Sequence, residues 1–294
     1  MDARDSAPRL GRIRAKSAPS SRSAASEQDT LLGHTAAVVR RLIELHERMP
    51  DLAERVGAPR LWHWAFWACV LHDLGKIAHG FQRQLDGARP PWGHRHEVLS
   101  LAFLEWALAG ANGEDLPWTA AGIASHHRDL PELERLYPSG QPEDRDPVRL
   151  LVQDVDAETV EELARWLAVE PVRWARGARL PGLEAALQVP ADPVRDFQLH
   201  AAERIRAALD AFRALARRLR RQPATSPENL AALAVRGLVV MSDHTASARV
   251  PFGPATVPEL ADMMQALSLT TPYPHQERAA RVAGHAILIA PTGS

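Results

Sequence analysis

In the stretch CVLHDLGKIAHGFQ, Cys69 to Gln82, a histidine and an aspartate stand side by side directly after an apolar run, and Lys76 follows His72 by four residues. A second doublet, His126-His127, closes the apolar stretch TAAGIASHH. His96 opens another, HRHEVLSLAFL. His34 stands just before a helical segment that should begin near Thr35, and Asp243 follows the apolar run LAALAVRGLVVM. Each polar group thus sits at the end of a segment that must be buried. An imidazole or carboxylate carried into a core is costly unless something satisfies it, and a divalent cation shared among several of them does so.

Five histidines and two aspartates are too many for one four- to six-coordinate ion, so the expectation is two ions with Asp73 as a bridge, roughly 3.5 to 4 Å apart. His34, His72 and Asp243 are assigned to one, and His96, His126 and His127 to the other. Imidazole-rich ligation without thiolate favours Mn, Fe, Co, Ni or Zn over Ca, with Mg admissible where waters dominate. Lys76, one helical turn beyond His72, is placed to meet a phosphate oxygen. Any one of these residues alone would read as a cap or a satisfied core group; their joint placement makes the site. The remaining histidines, His46, His63, His79, His94, His200, His275 and His285, are read as ordinary residues. His244 is the competitor of Asp243 for the inward position, and Cys69 is read as a buried small hydrophobe.

The elements that must position these groups are helical. From Leu31 to about Ala248 apolar residues recur with helical period, in HTAAVVRRLIELHER, EVLSLAFLEWALAG and AAERIRAALDAFRALARRLRR, while strand signals are nearly absent. Residues 1–30 read as an irregular arm of weak order, and DLPELERLYPSGQPEDRDP, Asp129 to Pro147, as a long surface loop. Trp62, Trp64 and Trp67 lie on a helix that is apolar all round, which favours core packing over base stacking. The arginines of the long helix, Arg204, Arg206, Arg213, Arg217, Arg218, Arg220 and Arg221, read first as a solvated face, with Arg213, Arg217 and Arg220 as candidate guides for a nucleic-acid strand. After Ser247 the pattern changes to a Pro-punctuated linker, a short helix and a terminal β-type run, HAILIAPTGS, so 249–294 is expected to begin a second domain.

Bulk properties narrow the class. With 294 residues, 46% of them apolar, the chain can bury a sizeable core, and a net charge of -1 gives no global attraction to polyanions or anionic membranes. One cysteine excludes an internal disulfide framework, and no apolar run is long enough to span a bilayer. The expectation is a cytoplasmic protein with no membrane partner.

These residues resemble the HD superfamily of metal-dependent phosphohydrolases. More narrowly, LHDLGKIAHGFQ, HRHEVLSLAFL, SHHRDLP and SDHTAS are similar to the HD nuclease domain of the CRISPR-associated helicase-nuclease of type I systems, over about Ile13 (IRAKS) to Ser247. The resemblance implies an all-α HD-domain bundle over 31–248 with a dinuclear metal site. It implies His34, His72, Asp73, His96, His126, His127 and Asp243 as ligands and Lys76 as a phosphate-facing residue, with His72, Asp73 and Lys76 catalytic. SDHTAS departs from the family, which usually has Ala before the aspartate and an aromatic after it. The tail carries a second resemblance: TPYPHQERAA is similar to the adenine-reading Q motif of the adjoining helicase, with Gln276 in the matching position. ILIAPTGS, ending in Thr292, Gly293 and Ser294, looks like the start of its Walker A loop. The lysine and hydroxyl residue that complete that loop do not precede Ser294. The expectation for 249–294 is therefore a short fragment of an α/β helicase domain without ATP hydrolysis, ATP being a ligand of the intact helicase only.

The implied reaction is two-metal hydrolysis of a phosphodiester in single-stranded DNA, and the implied partner is an RNA-guided, Cascade-type surveillance complex. Two other readings stand beside it: an HD-type nucleotide or cyclic-dinucleotide phosphohydrolase, and a non-catalytic docking module retaining a structural metal.

Overall fold

The computed structural model describes residues 9–16, 27–108, 113–138, 145–185, 187–250 and 252. The described residues up to Val250 form one compact unit, and it is mostly helical. Twelve α-helices are described: α1 (Leu31–Arg48), α2 (Leu52–Arg55), α3 (Leu61–Leu71), α4 (His79–Leu85), α5 (His96–Ser100), α6 (Leu104–Leu108), α7 (Asp115–Ala124), α8 (Leu130–Leu136), α9 (Pro147–Gln153), α10 (Ala157–Ala178), α11 (Pro193–Leu219) and α12 (Pro227–Ala248). No β-strand occurs among the described residues, only an isolated antiparallel bridge between Arg14 and Thr30.

The sequence starts its longer helices with capping side chains. The Thr30 hydroxyl accepts from the Gly33 N–H, the Asp156 carboxylate from Thr159, Asp192 from Arg195 and Ser226 from Asn229, and a proline follows Asp192 and Ser226 at the first helical position. Each cap satisfies an amide that the helix leaves unpaired, and proline there loses nothing by lacking an N–H.

Helix α3 is the axis of the bundle. All eleven of its residues are buried, so it needs neighbours on every side, and α1, α7 and α12 pack around it. Trp62, Trp64 and Trp67 are core residues, as their all-apolar helix predicts, with Trp64 stacked on Trp118 at 4.7 Å between centroids. His63, also buried, accepts the Glu184 N–H on Nδ1, and burial, reinforced by the charge of Arg60, lowers its pKa to about 4.

Three expectations are corrected. Helix α1 begins at Leu31 rather than near Thr35, because Thr30 supplies the cap and Leu31 is already core, so His34 lies within the first turn. Asp129 to Pro147 is not a long loop throughout: α8 occupies Leu130–Leu136, with Leu130 and Leu133 buried one turn apart, a helical face that the surrounding prolines and acids mask in the sequence. The described part of the arm is irregular but packed rather than weakly ordered, since Leu10 and Ala15 are buried and Leu31 N–H donates to Ile13 O at 2.7 Å.

On α11, most of the arginines are committed to acids. Arg204 pairs with Asp196 and Glu105, Arg206 with Asp146, and Arg218 with Glu228. Arg213 pairs with Asp210 and Glu134 and donates to the Tyr137 carbonyl, while Arg217 and Arg220 are exposed.

Candidate metal centre

Five separate segments end at one point in the bundle. Helix α3 ends at Leu71, and past it Gly75 is pressed against α5: a Cβ there would lie 2.0 Å from the His96 carbonyl oxygen. The chain turns into a short 3-10 helix, Leu74–Ile77. Ser100 of α5 locks this turn, accepting from the Gly75 N–H and donating to the His72 carbonyl, both at 2.8 Å. His34 comes from the first turn of α1, His96 from the first residue of α5, His126 and His127 from the turn after α7, and Asp243 from the C-terminal part of α12.

Asp73 is the centre. Its Oδ2 lies 3.4 Å from His34 Nε2 and 3.3 Å from His72 Nε2, and its Oδ1 lies 3.0 Å from His96 Nε2 and 3.9 Å from His126 Nε2. Asp243 Oδ1 is 3.0 Å from His34 Nε2 and 3.9 Å from His72 Nε2. His127 stands 5.2 Å from His96 between ring centroids. Two ligand groups result, His34, His72, Asp73, Asp243 and Asp73, His96, His126, His127, with the donor atoms of each group all within 4.8 Å of one another and Asp73 common to both. All are buried except His127. The neighbouring His244 is exposed.

The rings are held with their lone pairs inward. His72 Nδ1 meets the Cys69 carbonyl at 2.9 Å and His126 Nδ1 meets the Ile123 carbonyl at 2.6 Å. A carbonyl only accepts, so each Nδ1 carries the proton and each Nε2 presents a lone pair to the centre. Carbonyl partners of this kind orient metal-binding imidazoles and raise their basicity. His96 Nδ1 lies 3.5 Å from Glu97 Oε2, an oxygen with no hydrogen-bond partner, and Arg95 holds the other oxygen of that buried carboxylate at 2.8 Å.

The charge state completes the picture. Burial opposes ionisation of Asp73, but the neighbouring His72 and Lys76 and a hydrogen bond from His34 outweigh it and hold its carboxyl well below the usual range. Asp243 is likewise lowered, burial being overcome by His34 and His72. For His34, burial is outweighed by its bonds to Asp243 and Asp73, which raise it. Burial, with His72 and His127, pushes His126 well down, and burial with His96 lowers His127 to about 4. Two carboxylates held ionised, the raised imidazole of His34 and the lowered imidazoles of His126 and His127 therefore share one buried space. His72 Nε2, His96 Nε2, His126 Nε2 and Asp73 Oδ1 have no hydrogen-bond partner there, while Asp73 Oδ2 meets the Lys76 ammonium at 2.6 Å. Buried polar atoms are normally satisfied; atoms of this kind, aimed at one another at 3 to 4 Å, fit a divalent cation in each group.

Lys76 is buried, not a solvated surface lysine. Its ammonium lies 2.6 Å from Asp73 Oδ2 and donates to the Ala15 carbonyl at 2.8 Å. Cys69 is fully buried, and burial raises its thiol pKa, so it packs as expected. Sequence reasoning missed four contributors: Ser100, Gly75, Glu97 and the Ala15 carbonyl. Glu97, directly after a ligand candidate, was the one with a visible signal. Gln276, Thr292, Gly293 and Ser294, together with His275 and His285, lie outside the described residues.

An all-α bundle that collects imidazoles from separate helices around a His-Asp doublet is the arrangement of an HD-type hydrolase domain. The chain belongs to the Cas3 HD-domain family ("Cas3, HD domain"), which matches residues 15–252. It is 37% identical over 125 residues to the "Putative CRISPR-associated nuclease/helicase Cas3" of Myxococcus xanthus (strain DK1622), a match covering 38% of this chain and 17% of that protein. No solved structure matches. Family and relative together support a CRISPR-associated HD nuclease domain. Among the described residues no helix is long and apolar enough to cross a membrane.

Proposed function

We propose that this domain is a divalent-metal-dependent nuclease that hydrolyses phosphodiester bonds of single-stranded DNA in type I CRISPR interference. The observation that carries the reading is Asp73, one carboxylate with an oxygen in each of two imidazole-rich groups. His34, His72, Asp73 and Asp243 would hold one cation and Asp73, His96, His126 and His127 the other. Cations so held supply a water of lowered pKa and neutralise charge on the phosphate.

The protein's own part follows from the geometry. The Cys69 and Ile123 carbonyls fix the His72 and His126 tautomers, so no proton has to leave those Nε2 atoms before ligation. Asp73 stays ionised through the accessible pH range. The Lys76 ammonium, held beside Asp73 by the Ala15 carbonyl, is placed to offset charge that builds on a phosphate in the transition state. Burial of every group but His127 favours a substrate slender enough to reach in, a single strand rather than a duplex, and phosphate clamping reads no bases. The tail's resemblance to a helicase, which would deliver unwound strands, and the name of the relative point the same way. A Cascade-type complex as recruiting partner and a cytoplasmic location belong to this reading, as does ATP bound by the intact helicase.

The test is incubation with Mn²⁺ or Ni²⁺ and circular single-stranded DNA, duplex DNA or a panel of nucleotides and cyclic dinucleotides. Cleavage of the circular single strand, lost by at least about 100-fold in Asp73→Asn with the fold intact by circular dichroism, is expected. Turnover of the nucleotides alone would overturn the substrate, and full activity of Asp73→Asn would leave only a docking role.

A further inference from the structure

Beside the metal centre a chain of aromatic contacts leads outward. Phe81 of α4 lies 5.2 Å from His96 and 5.8 Å from Trp92 between centroids, and His94 meets Trp92 edge-on at 5.5 Å. Trp92 lines a shallow depression of about 310 Å³ with Arg83, His94, Leu150, Gln153 and Asp154. Leu150 is 44% exposed and Arg83 is exposed. The loop carrying Trp92 ends at His96, a proposed ligand.

The indole is held in a built seat. Its Nε1 donates to Asp154 Oδ2 at 2.7 Å, the same oxygen accepts the Gly80 N–H at 2.9 Å, and the Trp92 N–H donates to Gln84. Gly80 is obligatory beneath it, because a Cβ there would stand 2.0 Å from Trp92 Cδ1. The Asp154 carboxylate, the one anionic group lining the depression, thus has an oxygen turned to two N–H donors, while Arg83 offers a cation.

We propose that Trp92 is a base-stacking platform that positions single-stranded DNA next to the metal centre, with Arg83 facing the backbone. This rests on the nuclease reading. A π face of fixed orientation, half-buried, flanked by a cation and joined to the site through a single ring, suits a nucleobase of any identity: stacking on an aromatic side chain needs no hydrogen-bond readout and is worth about 1–3 kcal/mol per base. Trp92 touches no reacting atom, so it is a positioning residue.

The experiment compares the parent with Trp92→Leu, which keeps apolar bulk without a π face, and Trp92→Phe, which keeps the face without the Asp154 bond. Binding of a fluorescent oligothymidylate is read by anisotropy, and hydrolysis is read on that strand and on an oligomer of abasic sugar phosphates, which has no ring to stack. Trp92→Leu should weaken strand binding and raise KM about 5- to 100-fold, leave hydrolysis of the abasic oligomer unchanged, and be largely rescued by Trp92→Phe. The abasic oligomer should bind parent and Trp92→Leu alike. Equal strand binding by parent and Trp92→Leu overturns the inference, and so does a parallel fall on both substrates, the mark of a ring that merely supports His96. The binding arm needs no cleavage, so it judges Trp92 even where a parent inactive on DNA has already refuted the nuclease reading.

Discussion

Asp73 concentrates the chemistry of the domain in one side chain. Its two oxygens face different imidazoles, and the charges around it keep it ionised although it is fully buried. The imidazoles are not equivalent toward protons. His34 is raised above 6.5, so below its pKa a cation must displace a proton from it, whereas His126 and His127 are lowered and stay neutral into the acid range. Acidification from pH 8 to 6 should therefore weaken metal binding first at the group containing His34. Titration calorimetry with Mn²⁺ should show the stoichiometry falling from two toward one over that range, and simultaneous loss of both ions would contradict this order. Lys76→Met is expected to keep its metal content, measured by elemental analysis, while kcat drops roughly 10²- to 10³-fold, the scale of removing one transition-state charge partner. A loss of metal in parallel would make Lys76 a structural counter-ion to Asp73 instead.

At the level of elements, the turn after α3 is the decisive piece. An all-apolar helix has to occupy the middle of the bundle, and its end delivers His72 and Asp73 there, with Gly75 packed against α5 and Ser100 bonded across the turn. Ser100→Ala strands a buried N–H and a buried carbonyl, a loss of about 1–3 kcal/mol, to be read by urea denaturation. Activity should fall further than this stability loss explains, because the doublet is no longer pinned. Much of this level was legible beforehand: helical period marks α1 and the greater part of α11, and apolar runs mark α3, α7 and α12. The start of α1 and the whole of α8 were not. The four-residue error at the start of α1 arose because the cap is a bond from the Gly33 N–H to the Thr30 hydroxyl that spacing does not show, and α8 was hidden because two leucines among prolines and acids form a helix only when there is a surface to bury them against.

Across the whole molecule, the centre ties α1, α3, α5, α12 and the turn after α7 to one point, so cations bound there stabilise the native state against all states that separate those segments. At a free concentration of 100 times Kd the gain is about 2.7 kcal/mol per site, which for a domain of this size raises Tm by roughly 5–10 °C. Scanning fluorimetry should show this rise with Mn²⁺, its reversal by EDTA, and its absence in Asp73→Asn.

The amino-acid order by itself determined the helical class, the segments that must be buried and the polar residues stationed at their ends, because hydrophobic period and end position are local properties of the chain. His34 and Asp243 are 209 residues apart, and no spacing rule says that their side chains meet at 3.0 Å. Folding alone decided that meeting, the division of the Asp73 oxygens between two groups, the grip of Ser100 and the Ala15 carbonyl, and the seat of Trp92. Each depends on distances between elements, which are set by how side chains pack and not by where they fall along the polypeptide.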